Sequence, residues 1–227
     1  MESSRFIHRS LVAGSTLATT LSNYAAEPAP PDFSDAVPQP ASTLESPGPG
    51  IWQAGVGEGF RSSVHSISFD LGASYGLAHF GSTQVHDLAL ASLTYGLMLD
   101  GPVSDGHWYR GNWELRFELF SGAQFSPNSA WLVGLTPHLR YNFATGTRWI
   151  PCFDVGAGVT ATSIGLPDLS GTFQFNLQGG GGVQWFIRDN ISFGVDVRYL
   201  HISCAGINTP NLGVNTIRGM LGASFYF

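Results

Sequence analysis

From residue 51 onward the chain runs in short stretches where apolar and polar residues alternate one by one, the period of a strand with two unlike faces. Residues 64–79 set Ile67, Phe69, Leu71, Ala73, Tyr75 and Leu77 against Ser66, Ser68, Asp70, Gly72, Ser74 and Gly76. Residues 109–122 set Trp113, Leu115, Phe117 and Leu119 against Asn112, Glu114, Arg116 and Glu118. The alternation continues through 130–143, 148–162, 173–187 and 189–203, and again from Asn215 to the end. In 86–100 the apolar parity shifts near Ser92, which predicts a bulge. Eight strands are counted from residue 64. Residues 51–60 would add a ninth, but bacterial barrels close on an even number with both chain ends on one side. Eight strands are therefore predicted, with 51–60 merged into the first or lying against the barrel end.

Composition decides which face meets what. Of 227 residues 43% are hydrophobic and 13% aromatic, and only 11% are charged, against about 25% in a globular domain. No uninterrupted apolar run approaches the ~18–20 residues of a membrane helix. A soluble β-sandwich should carry more surface Lys and Glu. The prediction is an all-β fold, an eight-stranded antiparallel transmembrane β-barrel of the outer membrane, apolar outside and polar within. The polar face carries Glu114, Arg116, Glu118, His138, Arg140, Asp154, Asp196 and Arg198. Opposed charges of this kind predict a paired plug in a narrow lumen, which disfavours a small pore. Trp113, Trp131, Trp149 and Trp185 fit interfacial girdles, and the aromatic close at Phe225, Tyr226 and Phe227 is typical of such barrels.

The other signals are negative or peripheral. A net charge of −6 with no basic stripe argues against nucleic acid. Cys152 and Cys204 make no disulfide framework, and Cys152 shares parity with Asp154, facing the lumen. His79 and His86 are too loosely spaced for a metal signal, so neither metal nor cofactor is expected. The runs at 155–159 and 179–182 are glycine-rich but open no helix, so they fail as phosphate loops. Residues 1–26 have the order of a secretory signal peptide, with Arg5 and Arg9 before a weakly apolar stretch and Ala25 and Ala26 after it. Residues 27–50 read as a Pro/Ser-rich disordered leader, and 51–227 as the barrel.

Chemistry concentrates near the end. His201 and Ser203 continue the apolar parity of Ile191, Phe193, Val195, Val197 and Tyr199. Spacing i, i+2 puts both on one strand face, ~6–7 Å apart at the backbone, within reach of a nucleophile–base hydrogen bond. In a barrel that face looks at lipid. Asn215 falls on the same parity of the next strand, with Ile217, Leu221, Ala223 and Phe225.

The residues around this pair resemble a known family. Arg198-Tyr-Leu-His201-Ile-Ser203, Ala205-Gly206-Ile207, Pro210-Asn211-x-Gly213 and the final Phe227 are similar to the PagL family of outer-membrane lipid A 3-O-deacylases, also known as acyloxyacyl hydrolases. The likeness spans roughly 108–227 and takes in 135–143 and 151–158. It implies hydrolysis of the ester-linked acyl chain at the 3-position of lipid A, with lipopolysaccharide as substrate. Ser203 matches the family's nucleophile and His201 its base. Ala205, Gly206 and Asn211 match the region of its oxyanion hole. Two positions depart. Cys204 stands for the Asn after the nucleophile, and Asn215 for the acid that orients the His. An amide can accept from the imidazole but cannot stabilise imidazolium by charge, and in serine proteases such a change costs ~10⁴-fold in turnover. Asn215→Glu is accordingly expected to raise the rate. A catalytically silent structural or adhesive barrel is the alternative reading. With Phe227 at the periplasmic rim, twelve residues of strand tilted ~45° rise ~29 Å to Asn215, which predicts a site facing the outer leaflet.

Overall fold

The computed structural model describes residues 62–101, 103–104 and 106–227. The predicted signal segment, the leader and residues 51–60 lie outside them. Eight strands follow in order: β1 (His65–Gly76), β2 (Asp87–Met98), β3 (Gly111–Ser126), β4 (Ala130–Phe143), β5 (Trp149–Thr162), β6 (Phe173–Arg188), β7 (Ile191–Ser203) and β8 (Val214–Tyr226). Each pairs antiparallel with the next, and β8 pairs with β1 to close the barrel. Closure leaves no strand edge, the condition for a sheet to sit in hydrocarbon. Among the described residues no helix is long and apolar enough to cross a membrane.

The alternation read from the sequence becomes the wall. Ile67, Phe69 and Leu71 are exposed outside, and Ser66 and Ser68 are buried inside. Trp149 and Trp185, opposite each other on β5 and β6, stack at 5.5 Å near one end. β3 runs past the predicted 122 to Ser126, with Ala123 and Phe125 outward and Gln124 inward.

The lumen is layered, which the sequence reading did not foresee. Its middle is a charge network. Asp154 takes Arg140 at 2.8 Å and Arg198 at 3.0 Å, and Glu118 takes Arg218 at 2.7 Å and His138 at 3.2 Å. Above it lies an apolar layer that includes Leu88, Leu90, Phe120, Leu132, Leu200, Ile202, Val214 and Met220. Below it Met98, Ile150, Phe186 and Tyr226 form a smaller one. This explains the misread parity of β2. Leu88 and Leu90 point inward with Ser92, Thr94 and Met98, so the strand never changes face. The register shift in its pairing with β3 falls at Asp87/Leu88 instead of near Ser92.

One rim carries His65 and Phe227, whose main chains pair at 2.9 Å. The opposite rim carries the connections 77–86, 127–129, 163–172 and 204–213, and it holds the chemistry.

Candidate active site

β7 brings Tyr199, His201 and Ser203 to the outer wall at that second rim, because all three share one parity. β8 starts at the same rim, and its register sets Asn215 opposite His201. Ser203 Oγ lies 3.0 Å from His201 Nε2, and His201 Nδ1 lies 2.7 Å from Asn215 Oδ1. The three predicted residues thus form one hydrogen-bonded line. Tyr199 donates its hydroxyl to the same Asn215 oxygen at 2.5 Å, and Asn215 Nδ2 donates to the His79 carbonyl at 2.8 Å. Asn215 has outward parity yet is only 1% exposed. The segment 77–86 covers it, starting with the Leu77 amide on the Asn215 carbonyl at 2.7 Å.

Beyond Ser203 the chain turns sharply. Ala205 (φ 52°) and Gly206 (φ 82°) are both left-handed, and the Ile207 amide donates to the Cys204 carbonyl at 3.1 Å. Two positive φ angles inside such a bond are the signature of a type I′ turn. A left-handed alanine costs about 1–2 kcal/mol, so its surroundings must hold it. Asn211 does so by accepting the Cys204 amide on its side-chain oxygen at 3.0 Å. Its observed contact is therefore a brace for the turn. Cys204 is a buried free thiol that meets the Asn208 carbonyl at 3.3 Å, and Cys152 is likewise buried and free.

Gly213 closes over the imidazole. Its φ is +80°, and a Cβ there would sit 2.9 Å from His201 Cε1, so both conformation and clearance require glycine. Its amide and that of Leu212 donate to the Asp168 carbonyl at 3.1 and 2.9 Å. The Asp168 carboxylate is fully buried and accepts from the Thr83 amide and hydroxyl, the Gln84 amide and His86 Nε2. Burial pushes this carboxyl up, but the donors from Thr83 and His86 outweigh burial and hold it below the ordinary carboxylate range. His86 Nδ1 in turn faces Gln124 Oε1 at 2.7 Å, and Gln124 Nε2 donates to the Asn128 carbonyl at 2.8 Å. This buried knot joins all four connections at the rim.

Below His201 the outer wall is hollowed into a groove of about 620 Å³ lined by Phe80, Val155, Gly156, Leu177, Gln178, Gly179, Tyr199 and His201. The hollow exists because Gly179, between Val155 and Tyr199 in the ladder, carries no side chain. Phe80 overhangs it from 77–86, 83% exposed and held at φ 54°.

Sequence reasoning missed Tyr199, Asp168 and the segment 77–86. Tyr199 had a signal in its parity two residues before His201. Asp168 and the His79 carbonyl had none, since they meet the site only across the closed barrel.

A profile of the family described as "Lipid A 3-O-deacylase (PagL)" matches residues 89–224. A comparison with curated protein sequences found no match. Among solved structures, Neisserial surface protein A is 15% identical, with 72% of this chain and 97% of that one covered and a TM-score of 0.55. The outer membrane enzyme PagL is 22% identical, with 69% and 97% covered and a TM-score of 0.46. The N-terminal β-barrel domain of OprF from Pseudomonas aeruginosa is 19% identical, with 74% and 98% covered and a TM-score of 0.44. The first of these shares the barrel fold. With more than half its length matched by the family profile, the chain belongs to the lipid A 3-O-deacylase (PagL) family.

Proposed function

We propose that this protein is an outer-membrane esterase that removes the 3-O-linked acyl chain of lipid A. The observation that carries the reading is the line Ser203–His201–Asn215 on the lipid-facing wall, beside an apolar groove. A soluble esterase hides such a line in a cleft that water fills. Here the nucleophile sits on the outer wall at the rim, within reach of a membrane lipid and of water.

The chemistry needs no group beyond the chain and water. Ser203 Oγ attacks the ester carbonyl as its proton passes to His201 Nε2, which is positioned at 3.0 Å to take it. We assign the oxyanion to the exposed turn at Ala205 and Gly206, the region the family resemblance names, with Asn211 bracing that turn through Cys204. The carbon–oxygen bond to the sugar breaks, and the His201 proton goes to the departing 3-oxygen. Water then gives a proton to His201 and attacks the acyl-Ser203 ester. Free fatty acid leaves, and Ser203 regains its proton. Asn215 orients the ring without supplying charge. The acyl chain lies along the groove over Gly179, under Phe80. We place the rim that holds the site at the outer leaflet, where lipid A resides.

The test is incubation of detergent-purified protein with lipopolysaccharide, followed by mass spectrometry of the lipid A. Wild type should release the 3-O-linked acyl chain of lipid A, and Ser203→Ala and His201→Ala none, because nucleophile and base act as a unit. The neutral amide at Asn215 favours the second reading, a catalytically silent barrel. Unaltered lipid A from a correctly folded wild type would select it.

A further inference from the structure

An amide in place of a carboxylate introduces a hazard beyond lost charge. A carboxylate accepts on both oxygens, so it can only receive the imidazole N–H. An amide has two faces, an acceptor and a donor. Turned the wrong way, it would offer N–H to His201 Nδ1. The ring proton would then sit on Nε2, the tautomer that cannot take a proton from Ser203.

The surroundings of Asn215 exclude that orientation. The His79 main-chain carbonyl, 2.8 Å away, has lone pairs only, so the group facing it must be the Nδ2 donor. The amide orientation is thereby set by chemistry and not by assignment of atoms. Asn215 Oδ1 consequently faces Tyr199 and His201, and an amide oxygen accepts, so both must donate. The proton of a neutral His201 ring is on Nδ1. Its Nε2 is bare toward Ser203.

We propose that Tyr199 and the His79 carbonyl are positioning groups that clamp the Asn215 amide, and that this clamp sets the catalytic tautomer of His201. The inference deepens the deacylase reading and rests on it for its catalytic meaning. It also makes the segment 77–86 a working part of the site. That segment lies before the stretch matched to the family, and Thr83 and Gln84 anchor it on Asp168. The same contact argues against the gain that sequence alone leads one to expect from a carboxylate. In Asn215→Asp an oxygen would replace Nδ2 against the His79 carbonyl, setting two acceptors face to face. Asn215→Glu meets the same carbonyl with a longer arm.

The experiment is nitrogen NMR of the full chain, labelled with ¹⁵N-histidine and held in detergent micelles, with His201→Ala identifying the His201 signals. Wild type should show the Nδ1–H tautomer. Tyr199→Phe leaves the amide held at the His79 carbonyl alone and free to swing, so it should raise the Nε2–H fraction and lower kcat on lipopolysaccharide about tenfold, the worth of one neutral hydrogen bond, with KM within about twofold. Asn215→Asp should not exceed wild type in rate. A wild-type ring with its proton on Nε2 overturns the clamp. So does Tyr199→Phe with an unchanged tautomer in a heat-modifiable, folded barrel. Asn215→Asp faster than wild type overturns it as well. Wild type without deacylation would instead count against the esterase, while the tautomer comparison would still decide the clamp.

Discussion

At the scale of single residues, the site depends on contacts that permit one arrangement each. Gly213 is the plainest case. Its left-handed φ and the 2.9 Å from a would-be Cβ to His201 Cε1 act together. Gly213→Ala should cost about 1–2 kcal/mol from the backbone alone. It should also push the imidazole off the line between Ser203 and Asn215, lowering the deacylation rate. Urea unfolding separates the first effect and initial rates the second. An unaltered rate at reduced stability would mean that the ring is not confined from this side. Strain marks the same place. Among the described residues four non-glycines have positive φ, and two of them, Phe80 and Ala205, flank the site. Such outliers persist only where surroundings over-determine them.

At the scale of elements, strands carry the hydrogen-bonded line of Ser203, His201 and Asn215, and connections hold it. β7 and β8 set His201 against Asn215 through one register pair, so a slip of β8 by one residue would turn Asn215 into the lumen, away from His201. The connections meet on Asp168, whose carboxyl is held below the ordinary range. A depressed carboxyl stabilises the knot at every pH above the ordinary carboxylate range, and that contribution is lost as pH falls through the folded value. Acidification should therefore loosen 77–86 and 204–213, read as faster cleavage of these segments by an acid-active protease. In Asp168→Ala the cleavage should already be fast at neutral pH and change little with acid. A wild type that resists cleavage equally at both pH values would show that the carboxylate does not hold the connections.

At the scale of the whole molecule, the barrel is a closed wall with a filled interior. Apolar layers flank a charge network at both ends of the lumen. The line Ser203–His201–Asn215 lies on the outer surface instead, and its use depends on which rim faces outward. If the rim with the site faces the outer leaflet, a cysteine introduced at Asn208, with Cys152 and Cys204 replaced, should react with a membrane-impermeant reagent on intact cells. Labelling only after the outer membrane is broken would invert the barrel and remove its substrate from reach.

The sequence by itself determined the class of fold, the strands, their outward faces and the polar middle of the lumen. All of these follow from period-2 patterning, which is local. It also determined His201 and Ser203 as a pair, since two residues on one strand face need no tertiary information to be neighbours. Asn215 was legible through parity and through family resemblance. The inward Leu88 and Leu90 were misread, because an apolar layer inside a barrel breaks the rule that polar means lumen. Only the tertiary structure decided that the His79 carbonyl and Tyr199 turn the Asn215 amide, and that Asp168 gathers the rim. Closing β8 on β1 brings His79 to Asn215, 136 positions apart in the chain, and no pattern of neighbouring residues encodes such a contact.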